Sequence, residues 1–372
     1  AGVVMNPIIM HISAQQDVSY PITIEADLLL NPDKWLAYHW QNQRLVIISD
    51  NQVSKIYGEK LSTLLRPANP LLLSFTPGEK SKNHALKQYL EEKMLQQHCD
   101  RDTIILALGG GVVGDMAGFI ASTYMRGISY IQIPTTLLAM VDSSVGGKTG
   151  INTDQGKNLI GTFWQPRHVV IDTQCLKTLP QNHIINGLSE AIKVFISNDR
   201  DSFNYVIHHL NAILAKDINV LKNIVERAIK IKVAIVSQDE KEINQRMILN
   251  FGHTIGHALE KLSNYTLLHG YAVALGILVE AKISQLLGLL ADDEYQLIKS
   301  LFLKLNISGC SLKKINSDKL IKATQYDKKI KGNTVRYVLL KKIGQVYNDA
   351  THFVHPVLNE VVKQALSDAS EV

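Results

Sequence analysis

The stretch Thr103–Asp115, TIILALGGGVVGD, joins an apolar run to a glycine-rich turn. Thr103–Leu108 is aliphatic and partly β-branched, which favours a buried strand. The turn from Gly109 to Gly114 matches GxGxxG, in which glycines allow backbone N–H groups to approach a diphosphate at a helix N-terminus. The acid that usually binds the ribose about 20 residues later is absent, because the next acid after Asp115 is Asp142. The stretch therefore predicts a strand–turn–helix unit that either binds a nucleotide or forms a tight turn without a ligand.

Further strand-like and helix-like segments alternate on both sides of this unit. The strand candidates are short apolar runs: Leu45–Ser49, Leu71–Phe75, Tyr130–Ile133 and Val169–Ile171. His84–Gln97 has helical periodicity. Strands that alternate with helices predict a parallel sheet that is covered on both faces.

The pattern changes after about residue 180, where long helical segments replace the strands. These segments are Leu188–Ile196, Val220–Gln238, His253–Leu262 and Tyr271–Leu289, and a later strand is predicted at Val335–Leu340. We therefore predict an α/β N-terminal domain with a Rossmann-like parallel sheet over residues 1–180, and a mainly α-helical C-terminal domain over residues 181–372. A small-molecule site is expected in the cleft between them.

The bulk composition is that of a globular protein with neither a membrane nor a nucleic-acid partner. The chain has 372 residues, of which 46% are hydrophobic and 20% charged, and its net charge is +5. This basic excess fits an anionic ligand but is too weak to indicate nucleic acid. No apolar run reaches membrane-spanning length, and no secretory signal is visible. Cys99, Cys175 and Cys310 form no CxxC motif, so we expect reduced thiols and a cytoplasmic location.

Asp142–Thr149, DSSVGGKT, ends like a phosphate-binding loop, but Asp142 takes the place of the first glycine of that motif. The following stretch, residues 150–154, does not resemble an apolar helix start, so ATPase or GTPase chemistry is not favoured. Lys148 among glycines is either a monophosphate ligand or a solvated loop lysine. The same alternatives hold for the later pair Lys157-Asn158.

Asn250–His257, NFGHTIGH, opens a helix that carries two histidines on one face. His253 and His257 are four residues apart and face away from the apolar side of the helix. With His269 beyond the helix end, they form either a three-ligand metal site or a group of surface and cap histidines. Spacing alone favours His253 and His257 as ligands. HExxH protease chemistry is not expected, because Thr254 stands where the glutamate is required.

Two helices carry charges whose surroundings the sequence leaves open. Lys232 interrupts an apolar stripe, and it either meets an anion or reaches water along its aliphatic stem, because burial of an unpaired lysine is costly. Glu190 and Lys193 have i,i+3 spacing on the polar side of their helix. This spacing suits a solvated ion pair, but an acid and a base that face a cleft would look the same.

These motifs, taken in order, resemble the 3-dehydroquinate synthase family, which belongs to the sugar phosphate cyclases. The matching stretches are Pro77–Glu79, Gly109–Asp115, Pro134–Leu138, Val141–Thr149, Gly156–Gly161, Leu188–Lys193, Asn250–His257, Leu268–Gly270, Asp327–Lys329 and Ile343–Gly344. No single motif is decisive, but the ordered set is specific and spans nearly the whole chain. Tyr271 and Gly150 depart from the glutamate and alanine that are common in the family, and Tyr271 leaves the surroundings of His269 undefined.

The resemblance implies NAD bound across the N-terminal sheet, with Asp50 at a strand end as the ribose partner. The residues it assigns to cofactor binding are Asp50, Pro77, Gly78, Glu79, Lys80, Ser81, Lys82, Gly111, Val112, Val113, Gly114, Asp115, Thr135, Thr136, Lys148, Lys157, Cys175, Leu176, Lys177 and Thr178. It also implies one divalent metal, zinc or cobalt, held by Glu190, His253 and His269. His257 would then belong to the substrate phosphate rather than to the metal.

By the same resemblance, the substrate is a phosphorylated, carboxylated sugar, 3-deoxy-D-arabino-heptulosonate 7-phosphate. The groups assigned to its phosphate are Lys148, Asn158, Asn250, His257, one of Lys328 and Lys329, and Arg126 from the neighbouring subunit of a homodimer. Lys232 and Arg246 would hold the carboxylate, and Asp142 and Lys193 would contact ring hydroxyls.

The implied reaction, a step of the shikimate pathway to aromatic amino acids, eliminates phosphate and yields 3-dehydroquinate, with NAD reduced and reoxidised in each turnover. Another NAD-dependent sugar phosphate cyclase, such as 2-deoxy-scyllo-inosose synthase, is an alternative, but Lys232 with Arg246 favours a carboxylate over a neutral sugar. A metal-dependent alcohol dehydrogenase is more remote and would accumulate NADH. A nucleotide-binding module without catalysis would leave the Glu190, His253 and His269 set without a role.

Overall fold

The computed structural model describes residues 18–37, 39–325 and 334–371. In chain order its strands are β1 (Ile22–Glu25), β2 (Leu45–Asp50), β3 (Leu71–Phe75), β4 (Ile104–Gly109), β5 (Ser129–Pro134), β6 (Lys148–Thr153), β7 (Gly156–Phe163), β8 (His168–Asp172), β9 (Arg336–Tyr337), β10 (Leu340–Lys342), β11 (Gln345–Val346) and β12 (His355–Pro356). Its α-helices are α1 (Asn51–Val53), α2 (Glu59–Leu64), α3 (His84–Gln96), α4 (Gly111–Thr123), α5 (Cys175–Thr178), α6 (Gln181–Asn198), α7 (Arg200–Leu214), α8 (Ile218–Gln238), α9 (His253–Leu262), α10 (His269–Leu286), α11 (Asp292–Lys304), α12 (Ser317–Thr324) and α13 (Asn359–Ser370). Short 3-10 helices include Glu79–Ser81, Tyr124–Arg126 and Gln245–Asn250, and π-helical turns occur at Ser54–Gly58 and Ala139–Ser143.

Six of the described strands form one parallel sheet in the order β1-β8-β5-β4-β2-β3. The chain leaves β2 for β3 on one side and then crosses back to β4 on the other side. At such a reversal, the carboxyl ends of neighbouring strands leave a crevice in which α/β proteins bind ligands. Asp50 ends β2 and Gly109 ends β4, so this crevice lies at the glycine-rich turn.

Alternate residues of the central strands enter two separate apolar cores. In β2, Leu45 and Ile47 face one core while Val46 and Ile48 face the other, as the two-residue period of a strand requires. Side chains of α3 and α4 close the second core. The first core continues into the C-terminal helices. The predicted parallel sheet with helices on both faces is therefore confirmed. The C-terminal helices cover much of one face of this sheet.

The chain from residue 181 onward is mainly helical, as predicted, and α10 lies at the centre of this half. It packs against α6, α9 and α13 and is buried on nearly every side. Two of these crossings are very close. A Cβ atom at Gly276 would lie 2.0 Å from the backbone oxygen of Gly252, and one at Gly270 would lie 1.9 Å from that of Asn186. Glycine at these positions lets α9 and α6 approach α10.

Several elements differ from the sequence-based expectation. The hairpin of β6 and β7 was not predicted, because β7 is largely exposed and its sequence does not alternate between apolar and polar residues. The strand predicted at Val335–Leu340 is divided between β9 and the start of β10. Cys99 and Cys175 are buried free thiols. Among the described residues, no helix combines the length and the apolar character needed to cross a membrane.

Candidate active site

The glycine-rich turn has the form that the sequence predicted. α4 begins at Gly111 directly after β4 and Gly110, and no described side chain caps its first turn, whose N–H groups suit an anion. Gly114 lies so close to β5 that a Cβ atom would be 2.7 Å from Gln132 Oε1, and a Cβ atom at Gly111 would be 3.1 Å from Ser143 Oγ. Gly114 thus permits close packing of α4 against β5, and Gly111 permits the close approach of the Ser143 side chain to the start of α4.

Other predicted cofactor residues lie at neighbouring strand ends. Asp50 is buried at the end of β2, and its Oδ1 accepts hydrogen bonds of 2.9 Å from the first turn of α1. Thr135 follows β5, and its buried Oγ1 has no hydrogen-bond partner within the part of the chain that the structure describes. The segment Cys175–Thr178 forms α5, where Thr178 Oγ1 lies 2.5 Å from the Tyr57 hydroxyl. A buried hydroxyl without a partner beside an uncapped helix end fits a bound dinucleotide.

The predicted cofactor segment from Pro77 to Lys82 is joined to the β6–β7 hairpin. Lys82 is buried, and its Nζ lies 2.5 Å from Asp115 Oδ2 and 2.6 Å from Asn158 Oδ1. Glu79 Oε2 accepts a 2.7 Å hydrogen bond from the side-chain amide of Asn152. The structure therefore brings Asn158, predicted at the substrate phosphate, next to residues predicted at the cofactor.

Glu190, His253 and His269 converge from α6, α9 and α10, and their possible ligand atoms all lie within 4.8 Å of one another. Glu190 Oε1 is 3.7 Å from His253 Nε2 and 3.5 Å from His269 Nε2. Lys193 Nζ lies 2.6 Å from Glu190 Oε2, yet neither oxygen of this buried carboxylate accepts a hydrogen bond of ordinary geometry from a described residue. One carboxylate and two imidazoles are donors that suit Zn²⁺ or Co²⁺.

Glu260 of α9 holds His269 from the other side of its ring. Its Oε2 lies 3.2 Å from His269 Nδ1, and its Oε1 accepts a 3.1 Å hydrogen bond from Lys157 Nζ. Burial opposes the protonation of His269, but the nearby carboxylates of Glu190 and Glu260 raise its pKa to about 10. Because Tyr271 replaces a glutamate that is common in the family, the sequence left the partner of His269 open, and in the structure this partner is Glu260.

His257 lies on the exposed side of α9, with its ring centroid 5.0 Å from that of His253. It forms a second possible ligand group with Glu260 and His269, whose donor atoms also lie within 4.8 Å of one another. His257 is thus close to the buried group around Glu190 without belonging to it. For His257, the role of metal ligand suggested by its spacing and the role of phosphate ligand implied by the resemblance both remain predictions.

The solvated ion pair considered for Glu190 and Lys193 is wrong, because the two residues are only 0% and 2% exposed. Lys232 is also buried, and it meets an anion instead of reaching water. Its Nζ lies 2.5 Å from Asp142 Oδ1 and also donates to the backbone oxygen of Asp142. Burial lowers the pKa of Lys232, while the Asp142 carboxylate opposes this change. The chain itself thus supplies a counter-ion for the lysine assigned to the substrate carboxylate.

Further basic groups of the predicted substrate site have partners within the chain. Lys148 begins β6 and donates to Glu242, whose carboxylate also accepts a hydrogen bond from the Asn250 amide. Arg246 is buried, and its guanidinium donates to the backbone oxygens of Glu240 and Gly146.

The remaining predicted site residues are not brought into this cluster by the described chain. Arg126 is exposed with a φ of +67°, and its side chain makes no hydrogen bond or ion pair with another described residue. Asp327, Lys328 and Lys329 lie outside the described residues.

Three acids of the site were not predicted from the sequence: Glu242, Glu260 and Glu280. Glu280 is fully buried in α10, and its carboxylate accepts hydrogen bonds from the N–H groups of Gly252 and Ile255 at 2.7 and 3.2 Å, which caps α9. Glu280 is a single acid in the apolar sequence of α10, and like Lys232 in its apolar stripe, it could have been recognised from the sequence as a charge that needs a partner. Glu260 stands three residues after His257, and this i,i+3 spacing could have identified it.

Comparisons with known proteins agree along the chain. Two family models match in succession, the 3-dehydroquinate synthase N-terminal family over residues 72–186 and the C-terminal family over residues 187–330. The curated 3-dehydroquinate synthase of Ruminiclostridium cellulolyticum is 39% identical over 366 residues, which cover 97% of this chain and 99% of that protein.

Two solved structures are similar over almost their full length. One is the 2-epi-5-epi-valiolone synthase of Streptomyces hygroscopicus with NAD⁺ and Zn²⁺ bound, with a TM-score of 0.87, 26% identity, and coverage of 97% of this chain and 99% of that chain. The other is a 2-deoxy-scyllo-inosose synthase complexed with carbaglucose-6-phosphate, NAD⁺ and Co²⁺, with a TM-score of 0.84, 26% identity, and coverage of 94% and 96%. The fold is thus that of a sugar phosphate cyclase. Within this class, the chain belongs to the 3-dehydroquinate synthase family, and it is an enzyme.

Proposed function

We propose that the protein converts 3-deoxy-D-arabino-heptulosonate 7-phosphate to 3-dehydroquinate and phosphate, a step of the shikimate pathway. The observation that carries this proposal is the convergence of Glu190, His253 and His269 within 4.8 Å, in a chain of this family. Curated relatives of 38–44% identity carry the same enzyme name.

NAD and one divalent metal, zinc or cobalt, are the cofactors of this proposal. The uncapped first turn of α4 and the orphaned Thr135 hydroxyl fit NAD, and the buried Glu190 carboxylate between two imidazoles fits the metal. The related cyclases were solved with NAD⁺ and with Zn²⁺ or Co²⁺. When bound, NAD supplies a reversible hydride acceptor and the metal a Lewis acid for the substrate hydroxyl.

The chain's own residues bind and orient the substrate. In the proposal, Lys148, Asn158, Asn250 and His257 hold the phosphate, whose charge grows as it leaves, so fixed cations and donors stabilise the elimination. Lys232 and Arg246 hold the carboxylate in a buried place, where a charge-assisted contact is strong. Asp142 and Lys193 orient ring hydroxyls. If the substrate carboxylate binds here, the Lys232 ammonium would have to donate to both Asp142 and the ligand.

A cyclase for a neutral sugar phosphate is the second candidate, because the two structural neighbours are named for such reactions. The two buried cations Lys232 and Arg246 favour a carboxylate substrate, because their hydrogen-bond partners among the described residues include only one carboxylate, that of Asp142, while Arg246 donates to backbone oxygens. The curated relatives, at higher identity, also favour the heptulosonate phosphate.

We further propose a homodimer in which Arg126 of each subunit completes the phosphate site of the other. The exposure of Arg126, and of Leu159, Ile160 and Phe163 on β7, supports an interface. A cytoplasmic location and a domain boundary near residue 180, just before α6, complete the proposal. Free thiols at Cys99 and Cys175 support the location.

One assay tests the reaction directly. Phosphate release from the heptulosonate phosphate should require both NAD and a divalent metal, should stop with a chelator, and should leave no net NADH. Glucose 6-phosphate should release none. Turnover of glucose 6-phosphate in preference to the heptulosonate phosphate would establish the second candidate instead, and net NADH would indicate a dehydrogenase.

A further inference from the structure

An acidic side chain lies across two of the groups that the proposed function assigns to the substrate phosphate. One oxygen of Glu242 accepts a hydrogen bond from Lys148 Nζ and the other accepts one from the Asn250 side-chain amide. Lys148 begins β6 and Asn250 ends the 3-10 helix before α9, so the carboxylate joins two separate elements. A phosphate would use the same two donors.

The loop that carries Glu242 is held in place without its side chain. Glu242 lies between α8 and the 3-10 helix Gln245–Asn250, with a φ of +59°. The Asp239 carboxylate fixes this loop by accepting hydrogen bonds from the N–H groups of Ile243, Asn244 and Arg246 at 2.9, 2.8 and 3.0 Å. The Glu242 side chain can therefore turn away from Lys148 while the backbone stays anchored.

Charge and exposure suit an exchange of anions at this place. Although burial opposes the ionised form, Lys148 and Asn250 hold the pKa of Glu242 below its ordinary value, so the side chain is a carboxylate at neutral pH. Lys148 is 49% exposed and Glu242 23% exposed, so an anion from solvent can reach both. A phosphate monoester carries about −1.5 to −2 charge and three acceptor oxygens at pH 7, more than a carboxylate offers.

We propose that Glu242 is a displaceable internal substitute for the substrate phosphate, an inference that rests on the proposed phosphate role of Lys148 and Asn250. In the free enzyme, Glu242 neutralises Lys148 and keeps it oriented. The arriving phosphate replaces the carboxylate, which moves out because like charges repel. After elimination, Glu242 competes with the product phosphate for the same donors and so assists its release.

The test measures inorganic phosphate binding to the NAD- and metal-loaded enzyme by calorimetry. Glu242→Gln and Glu242→Ala should each bind phosphate about three- to tenfold more tightly than the wild type, because the apparent affinity no longer includes displacement of a competing anion. KM for the phosphorylated substrate should fall, and inhibition by product phosphate should strengthen by a similar factor. Glu226→Gln, the same charge change on the exposed side of α8, should leave all three values unchanged.

Two outcomes separate this inference from the proposed function. Thermal unfolding first checks that both Glu242 variants are folded. If the wild type releases phosphate from the heptulosonate phosphate, but both folded variants bind inorganic phosphate no more tightly than the wild type, Glu242 only orients Lys148 and the inference is wrong. If the wild type releases no phosphate from that substrate, the proposed function itself fails. Adding Lys148→Ala to Glu242→Gln should abolish the gain in affinity, and a gain that persists would locate the phosphate elsewhere.

Discussion

Glu260 Oε2 lies 3.2 Å from Nδ1 of His269, while Nε2 of the same ring faces Glu190 at 3.5 Å. A carboxylate in this position fixes the orientation of an imidazole and raises the basicity of its ligating nitrogen. Replacement of Glu260 by Gln or Ala should therefore weaken Zn²⁺ or Co²⁺ binding by about 10- to 100-fold. Competition with a chromogenic chelator measures this affinity without turnover.

Lys157→Met is the matched control for Glu260, because it removes the other ion pair of Glu260 and leaves the contact with His269 intact. Its metal affinity should stay near the wild-type value. An equal loss of metal affinity in Lys157→Met would assign the effect to a general disturbance of the packing between β7 and α9. Wild-type metal affinity in Glu260→Ala would refute the orienting role of Glu260.

The strands were predictable because continuous apolar runs such as Leu45–Ser49 are buried on both faces of a parallel sheet. The partners of the charged residues were not predictable, because they are set by tertiary packing. Asp142 is 90 residues from Lys232, and the burial of Glu190 and Lys193 comes from neighbouring elements rather than from their own helix. Glu242 lies in the run DEKE, which reads as a solvated loop in sequence.

His253 and His257 should behave differently when each is replaced by Ala. His253 belongs to the buried group around Glu190, so its loss should weaken metal binding by at least about 100-fold, as expected when one of three protein ligands is removed. His257→Ala should retain the metal and bind inorganic phosphate more weakly. Metal titration and phosphate calorimetry on both variants decide between the two ligand groups. A greater loss of metal in His257→Ala would favour the group of His257, Glu260 and His269.

Lys148→Ala should slow single-turnover phosphate release by about 100-fold or more, the usual effect of removing one group that stabilises developing charge. Although the resemblance also assigns Lys148 to the cofactor, the dissociation constant of NAD should change little, because the larger set of cofactor residues around Gly111 and Thr135 stays intact. Rapid quench and cofactor titration measure the two quantities. Lys60→Ala, on the exposed side of α2, should match the wild type in both. Phosphate release at the wild-type rate in Lys148→Ala would remove Lys148 from the phosphate site.

Asp239 should make the stability of the Glu242 loop depend on pH. Although slight burial acts in the other direction, hydrogen bonds from the N–H groups of Ile243, Asn244 and Arg246 lower the pKa of Asp239. A lowered folded-state pKa stabilises the protein above the ordinary carboxyl pKa of about 3.9, and the effect is lost as the pH falls through the folded-state value. Asp239→Asn should therefore cost less than about 1 kcal/mol at neutral pH, because solvent screens this mostly exposed carboxylate, and still less in acid, as measured by urea unfolding. A cost that stays constant into acid would contradict this linkage.

The ion pair between Lys232 and Asp142 should be unequally sensitive to the loss of its two members. Lys232 is 6% exposed at its side chain and Asp142 is 32% exposed, so only the aspartate can be hydrated when its partner is removed. Asp142→Asn leaves a buried ammonium without a counter-ion, although the backbone oxygen at residue 142 still accepts a hydrogen bond from it, and should cost about 1–3 kcal/mol of unfolding free energy. Lys232→Met replaces the buried charge with an apolar side chain of similar length and should change stability by less than about 1 kcal/mol.

Urea unfolding of the two single variants and of the double variant measures this asymmetry. The double variant should resemble Lys232→Met, because once the buried cation is gone the aspartate no longer has a charge to compensate. Greater destabilisation by Lys232→Met than by Asp142→Asn would mean that the lysine contributes attraction beyond its desolvation cost. In that case the site would retain its cation for stability, and the burial of Lys232 would no longer argue for a carboxylate on the substrate.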